Sequence, residues 1–145
     1  GHKVCGILTE MNTEVDYINY VVIGIGINAN MKEFPDEIKD IASSLYIESG
    51  KQVKRAYVIE AVGRYFEKYY DAFIKTGDLS EITDEYNTML ANAGKQVRII
   101  GNDKEEIYTA VGINPEGGLV VKDDDGNLKE IRSGEVSVRG LYGYV

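Results

Sequence analysis

The hydrophobic period of this chain changes at Gly94, and no other feature limits the possible folds as sharply. Before it, apolar residues recur at three- and four-residue spacing; after it, short alternating runs are separated by Gly, Asn and Asp. From about Lys54 to Lys75, Val58, Ile59, Val62, Tyr65, Phe66, Tyr69 and Phe73 follow the helical repeat, and Gly77 supplies a stop. A second helix is expected from about Leu79 to Leu90, ended by Asn92-Ala93-Gly94. A short one is expected from Asp36 to about Tyr46, where Ile38, Ile41, Ala42 and Leu45 follow Pro35. Beyond Gly94, runs at Gln96 to Ile100, Ile107 to Ile113, Gly118 to Val121, Leu128 to Ile131 and Val136 to Arg139 read as five short strands. The punctuation between them is Gly101-Asn102-Asp103, Asn114 to Gly117, Asp123 to Asn127 and Ser133-Gly134, as in a small antiparallel barrel.

The first thirty residues add two β-rich runs, Val4 to Met11 and Tyr17 to Ile27, joined by the polar segment Asn12 to Asp16. They predict a hairpin or adjacent antiparallel strands. Val21-Val22-Ile23 is apolar on both faces, as a central buried strand would be. The fold class is therefore α+β, with a mixed α/β part, a boundary near Ala91 to Gly94, and a small all-β part.

The 145 residues carry 24 acidic and 16 basic side chains, a formal charge of −8, with 43% hydrophobic residues. That is enough apolar material for a core, and it argues against disorder. The acidic excess falls on both sides of the boundary, so neither part has the basic surface that phosphate neutralisation needs. A single cysteine, Cys5, excludes an internal disulfide, and a single histidine, His2, excludes a His-cluster metal site. Together they read as a reducing, cytoplasmic setting. The longest apolar stretch, Tyr20 to Ile27, is far short of the roughly 20 residues of a membrane helix. Gly1-His2, in place of an initiator Met, reads as a tag remnant and points to a fragment.

Gly24-Ile25-Gly26-Ile27-Asn28 closes the most apolar strand. Glycines there let backbone amides approach a phosphate or carboxylate, and Asn28 can donate and accept. Met31 stands where a dinucleotide fingerprint would need its third glycine, and a bulge or a crowded sheet crossing explains the glycines equally well. Lys3, just before the first strand, is a fixed positive charge for an anionic substrate, or a solvated terminal lysine. The run Asp123-Asp124-Asp125-Gly126-Asn127 lacks the closing Glu of a calcium loop and reads as a hairpin tip. There is no Ser/His/Asp or Cys/His set.

Three segments in order, Lys3-Val4-Cys5-Gly6-Ile7-Leu8-Thr9-Glu10, Val22-Ile23-Gly24-Ile25-Gly26-Ile27-Asn28 and Gly134-Glu135-Val136-Ser137-Val138-Arg139, resemble the biotin protein ligase family. The resemblance implies residues 1–92 as the C-terminal half of a mixed-sheet catalytic domain with helices on one face, and 93–145 as an SH3-like barrel. It implies a parent that activates biotin with ATP and Mg²⁺ to biotinyl-5′-adenylate and passes biotin to a lysine of a biotin carboxyl carrier domain. The family's Arg- and Gly-rich loop, expected upstream of Lys3, is absent, so this piece alone is expected to be inactive. By the same resemblance Lys3 is catalytic and touches biotin and adenylate, Gly6 and Ile7 line the strand beside biotin, and Gly26, Asn28 and Arg139 serve ATP, with no protein metal ligand. A homo-oligomer through a sheet edge is implied, and any operator DNA contact belongs to an N-terminal domain outside this chain. The competing reading is a non-catalytic interaction or dimerisation module with a β-barrel.

Overall fold

The computed structural model describes residues 1–101, 104–132 and 136–140. The expected turns at Asn102-Asp103 and Ser133-Gly134, and Glu135 of the third motif, lie outside the described residues. Among those described, three helices and two sheets form an α+β chain. Its internal contacts fall into two compact units, Gly1–Ala61 and Val62–Val145.

The first unit holds β1 (Cys5–Thr13) and β2 (Ile18–Ile27), paired antiparallel as a two-stranded ribbon, and α1 (Leu45–Ser49). The hairpin reading of the two runs is the one observed. The central buried strand is not: among the described residues β2 pairs with β1 alone, and Val21, Val22 and Ile23 are each about half exposed. With a single ladder among the described residues, β2 keeps its apolar side chains partly exposed on both faces. Both sheets are antiparallel throughout, so the mixed sheet is represented among the described residues only by an isolated parallel bridge, Lys3 to Ala42.

The helix expected over Asp36 to Tyr46 is also corrected. Residues 36–41 form turns, closed by bonds such as Lys39 N–H to Pro35 C=O and Ala42 N–H to Ile38 C=O, both near 3.0 Å or below. The helix itself starts at Leu45, because Ser44 adopts an extended conformation and its hydroxyl accepts the Ile47 N–H at 3.1 Å. The side chain that caps the helix fixes its start, and the apolar spacing upstream does not extend it.

α2 (Arg55–Thr76) begins in the first unit and runs into the second, which also holds α3 (Ser80–Met89). Gly77 ends α2 as expected, with φ +77° and its N–H bonded to Phe73 C=O at 2.7 Å. All five expected strands are present: β3 (Gln96–Gly101), β4 (Lys104–Ile113), β5 (Leu119–Lys122), β6 (Leu128–Ile131) and β7 (Val136–Gly140). They form one antiparallel sheet in the order β6-β5-β4-β3-β7, and no β6–β7 ladder closes it among the described residues. The core is Val97, Ile99, Ala110, Val121 and Ile131, with Tyr108 and Leu119 against it.

Asn87 ties α3 to this sheet. Asn87 Oδ1 accepts the Ile113 N–H at 2.7 Å, and its Nδ2 donates to the Ile113 C=O at 3.2 Å, so an amide imitates a neighbouring strand. The register of β4 on β5 shifts between Ala110 and Gly112 at that point. A Cβ on Gly112 would stand 2.7 Å from Asn87 Oδ1, so glycine is what lets the helix approach. Asn87→Ala leaves the Ile113 amide without its partner and is expected to cost about 1–3 kcal/mol in denaturant unfolding. Gly112→Ala is expected to destabilise by a similar amount, and the double variant by less than the sum of the two.

Candidate functional site

Strand alternation sorts the β1–β2 ribbon into two chemically different faces. Gly6 pairs with Gly26, Leu8 with Gly24, Glu10 with Val22 and Asn12 with Tyr20, and these residues share one face. Cys5, Ile7, Thr9 and Met11 share the other with Ile27, Ile25, Ile23 and Val21. Three glycines therefore leave a bare strip of backbone on the first face, beside the end of the ribbon where Lys3 stands.

The glycines are not there to relieve crowding inside this chain. A Cβ built on Gly24 or Gly26 would meet only strand carbonyls at 3.7 and 3.8 Å, and one on Gly6 only the Lys3 Cε at 3.8 Å. These are ordinary contacts. The ribbon has no bulge at these positions either, its single irregularity lying at Asn12/Thr13. Neither alternative explanation of Gly24 and Gly26 therefore holds within the described residues. What the glycines do supply is access to the backbone, with the lysine stem laid across Gly6.

Lys3 is fixed by its own backbone. Its N–H donates to Ile41 C=O at 2.7 Å and its C=O accepts the Ser43 N–H at 3.0 Å. Asn28 leaves β2 with its N–H on Val4 C=O at 2.8 Å, and its side-chain Nδ2 donates to Ser43 C=O at 3.0 Å. Lys3, Gly6, Gly26 and Asn28 are thus brought to one end of one ribbon. Ile7, by contrast, stands on the opposite face from Gly6 and is largely exposed. Arg139 belongs to the second unit, on β7 and opposite Arg98 in the ladder with β3.

The sequence reading missed the residues that hold this arrangement. Ser43 and Ser44 are the buried polar pair of the chain's first unit, and Asn30 grips Val53 through both its N–H and its C=O at 2.9 Å. The serine before Leu45 is the signal for a helix cap, hidden because the apolar spacing of Asp36 to Tyr46 runs straight across it. The Ser43 hydroxyl is the largest influence holding the Glu48 carboxyl below its ordinary value. Burial opposes that shift, and His2 adds a smaller pull downward. Among the described residues no group of three or more His, Cys, Asp or Glu could hold a metal ion, and no helix is long and apolar enough to cross a membrane. Ser44→Ala removes both the cap of α1 and a hydroxyl that donates to Met31 C=O. It is expected to lower the stability of the chain by about 1–2 kcal/mol in denaturant titration.

Comparison with known proteins adds independent findings. The sequence signature of the biotin protein ligase C terminal domain matches residues 93–139. The bifunctional ligase/repressor BirA of Bacillus spizizenii is 37% identical over 140 residues, which are 95% of this chain and 42% of that protein. BirA of Escherichia coli is 26% identical over 137 residues, again 42% of its length. The chain thus spans about two fifths of the curated relatives it matches. Among solved structures, the apo biotin protein ligase of Aquifex aeolicus superposes with a TM-score of 0.80 at 32% identity, covering 96% of this chain and 59% of that one. The same ligase in complex with biotin and ATP gives 0.77 at 31% identity, covering 96% and 56%.

Proposed function

Because the chain belongs to the biotin protein ligase family, we propose that it is the C-terminal portion of an enzyme that attaches biotin to protein. The biotin carboxylate oxygen attacks the α-phosphorus of ATP and pyrophosphate leaves. A lysine amine of a biotin carboxyl carrier domain then attacks the acyl carbon of the adenylate and AMP leaves. The observation that carries this reading is the bare glycine strip at Gly6, Gly24 and Gly26 with Lys3 across its end.

In this reading residues 1–92 close the catalytic domain and 93–145 form its SH3-like barrel. Two anionic reactants must meet, and a preorganised ammonium at Lys3 offsets the negative charge that builds between carboxylate and α-phosphate. Gly6 and Gly26 admit the ligand to the backbone. Ile7 stays in the set as a strand residue beside biotin, although it shares no face with Gly6. Asn28 and Arg139 are residues of this chain assigned to ATP. Mg²⁺ would screen the phosphate charges when bound. The described residues build no cage of side chains for it, so no step is derived through the ion. The partners proposed are the carrier domain and a second copy through a sheet edge, in the cytoplasm. Contact with operator DNA falls to a segment outside this chain.

A second reading, an interaction module, is favoured by one observation: Ile7, Leu8, Met11, Tyr17, Ile18 and Tyr20 are all more than half exposed. Biotin-dependent exchange of pyrophosphate into ATP separates the two. The 145-residue chain alone is expected to show none, and the chain extended upstream to the length of its relatives is expected to show it. In the extended protein Lys3→Ala is expected to slow the exchange by about 10²–10³-fold, the scale of one lost preorganised electrostatic contact. An unchanged rate in that variant removes Lys3 from the mechanism. Failure of the extended chain to bind biotinyl-5′-adenylate in calorimetry would leave the interaction module as the better account.

A further inference from the structure

Lys3 and Asn28 are joined by a short strap, residues 41–45, that neither of them belongs to. On one side the strap takes the Lys3 N–H on Ile41 C=O and gives the Ser43 N–H to Lys3 C=O, which makes the parallel bridge of Lys3 with Ala42. On the other side Asn28 holds it at two points. Its C=O accepts the Leu45 N–H at 2.9 Å and its side-chain Nδ2 donates to Ser43 C=O at 3.0 Å. Ser43 is therefore shared: its N–H is spent on Lys3 and its C=O on Asn28. The serine is 2% exposed, so neither bond can be replaced by water without opening the strap.

The chemistry of this contact selects asparagine. The acceptor is a backbone carbonyl, so the side chain facing it must donate, and an aspartate of the same shape would set a carboxylate against the carbonyl oxygen. A short amide also reaches across from the first residue after β2 without bending the strap. Lys3 needs such support, because a residue before the first strand has no ladder partner of its own apart from the bridge.

We propose that Asn28 is a positioning residue for Lys3: its amide latches strap 41–45, and the strap sets the backbone from which the Lys3 ammonium is presented over Gly6. The inference rests on the reading of Lys3 as the site cation, and it reassigns what Asn28 does at that site. Asn28 acts through Ser43 and not by contact with the nucleotide.

Two measurements separate the inference from the reading beneath it. In the 145-residue chain, amide hydrogen exchange followed by NMR is expected to show the Lys3 and Ser43 amides exchanging about tenfold faster in Asn28→Asp, with the amides of Leu8 and Glu10 unchanged. Asn28→Ala, which removes the donor without adding a charge, is expected to show the same pattern more weakly and decides the matter if the Asp variant loses its ribbon. Unchanged exchange at Lys3 and Ser43 in both variants overturns the latch. In the extended protein, Asn28→Asp is expected to slow pyrophosphate exchange in the Lys3 background and to add nothing further to Lys3→Ala, with the Mg²⁺ dependence unmoved. Additive losses, or a shift of the Mg²⁺ requirement toward lower concentration in Asn28→Asp, make Asn28 a direct ligand and overturn the proposal. If Lys3→Ala proves harmless, the reading of Lys3 falls, and the exchange data still decide whether Asn28 holds the strap.

Discussion

Everything at the candidate site depends on the antiparallel ladder between β1 and β2. The two motif segments are separated by the turn at 14–17, and only the register that pairs Gly6 with Gly26 sets their glycines side by side. A slip of one residue would carry Gly24 and Gly26 to the other face and put Ile23, Ile25 and Ile27 where the bare strip now lies. Pairing also fixes the ends: Cys5 against Ile27 leaves Lys3 and Asn28 just beyond the last rung, close enough for one strap to hold both. The site is thus a consequence of register, and the lysine and the asparagine occupy the positions that register leaves free.

How much of this could be read from the sequence varies with the kind of physics involved. α2, α3 and the five strands after Gly94 were legible because each rests on a periodicity or a turn residue within its own span, as Gly77 at the end of α2 illustrates. The difference at Asp36 to Tyr46 has a local cause too: Ile38, Ile41 and Ala42 have helical spacing, but Ser44 offers a better cap two residues after Ala42. The strap is different in kind. Nothing in Ile41-Ala42-Ser43-Ser44 announces that its backbone will bond to Lys3, some forty residues earlier, since those are main-chain groups that every residue carries. Asn28 itself was legible as a group able to donate and accept, and its donor meets Ser43 only once the chain is folded.

The second unit uses the same device at a different place. Asn87 takes both backbone groups of Ile113 as Asn30 takes both of Val53, a side-chain amide standing in for a strand neighbour, and Asn28 uses its donor alone on the Ser43 C=O. Three asparagines each satisfy backbone groups at positions where regular structure ends. Both N–H and C=O of a buried residue need partners, and one amide can supply both at the cost of fixing only a short side chain. That economy explains why Gly112 must lie beside Asn87, since the amide works only if the helix comes close.

The ribbon poses an energetic problem that its own pairing does not solve. A two-stranded sheet standing alone is marginal in water, and both faces of this one carry exposed apolar side chains. The two faces cannot be covered in the same way. The face of Gly6, Gly24 and Gly26 has to stay open if a ligand is to reach the backbone, because any side chain packed there would fill the strip. The other face, with Ile7, Met11, Val21, Ile23 and Ile25 on it, has no such constraint and gains free energy from every apolar contact laid over it. At the end of the pair nearest Lys3, Gly6, Gly24 and Gly26 on one face and Ile7, Ile25 and Ile27 on the other therefore divide the labour: the isoleucines supply the driving force for packing, and the glycines between them keep the backbone bare.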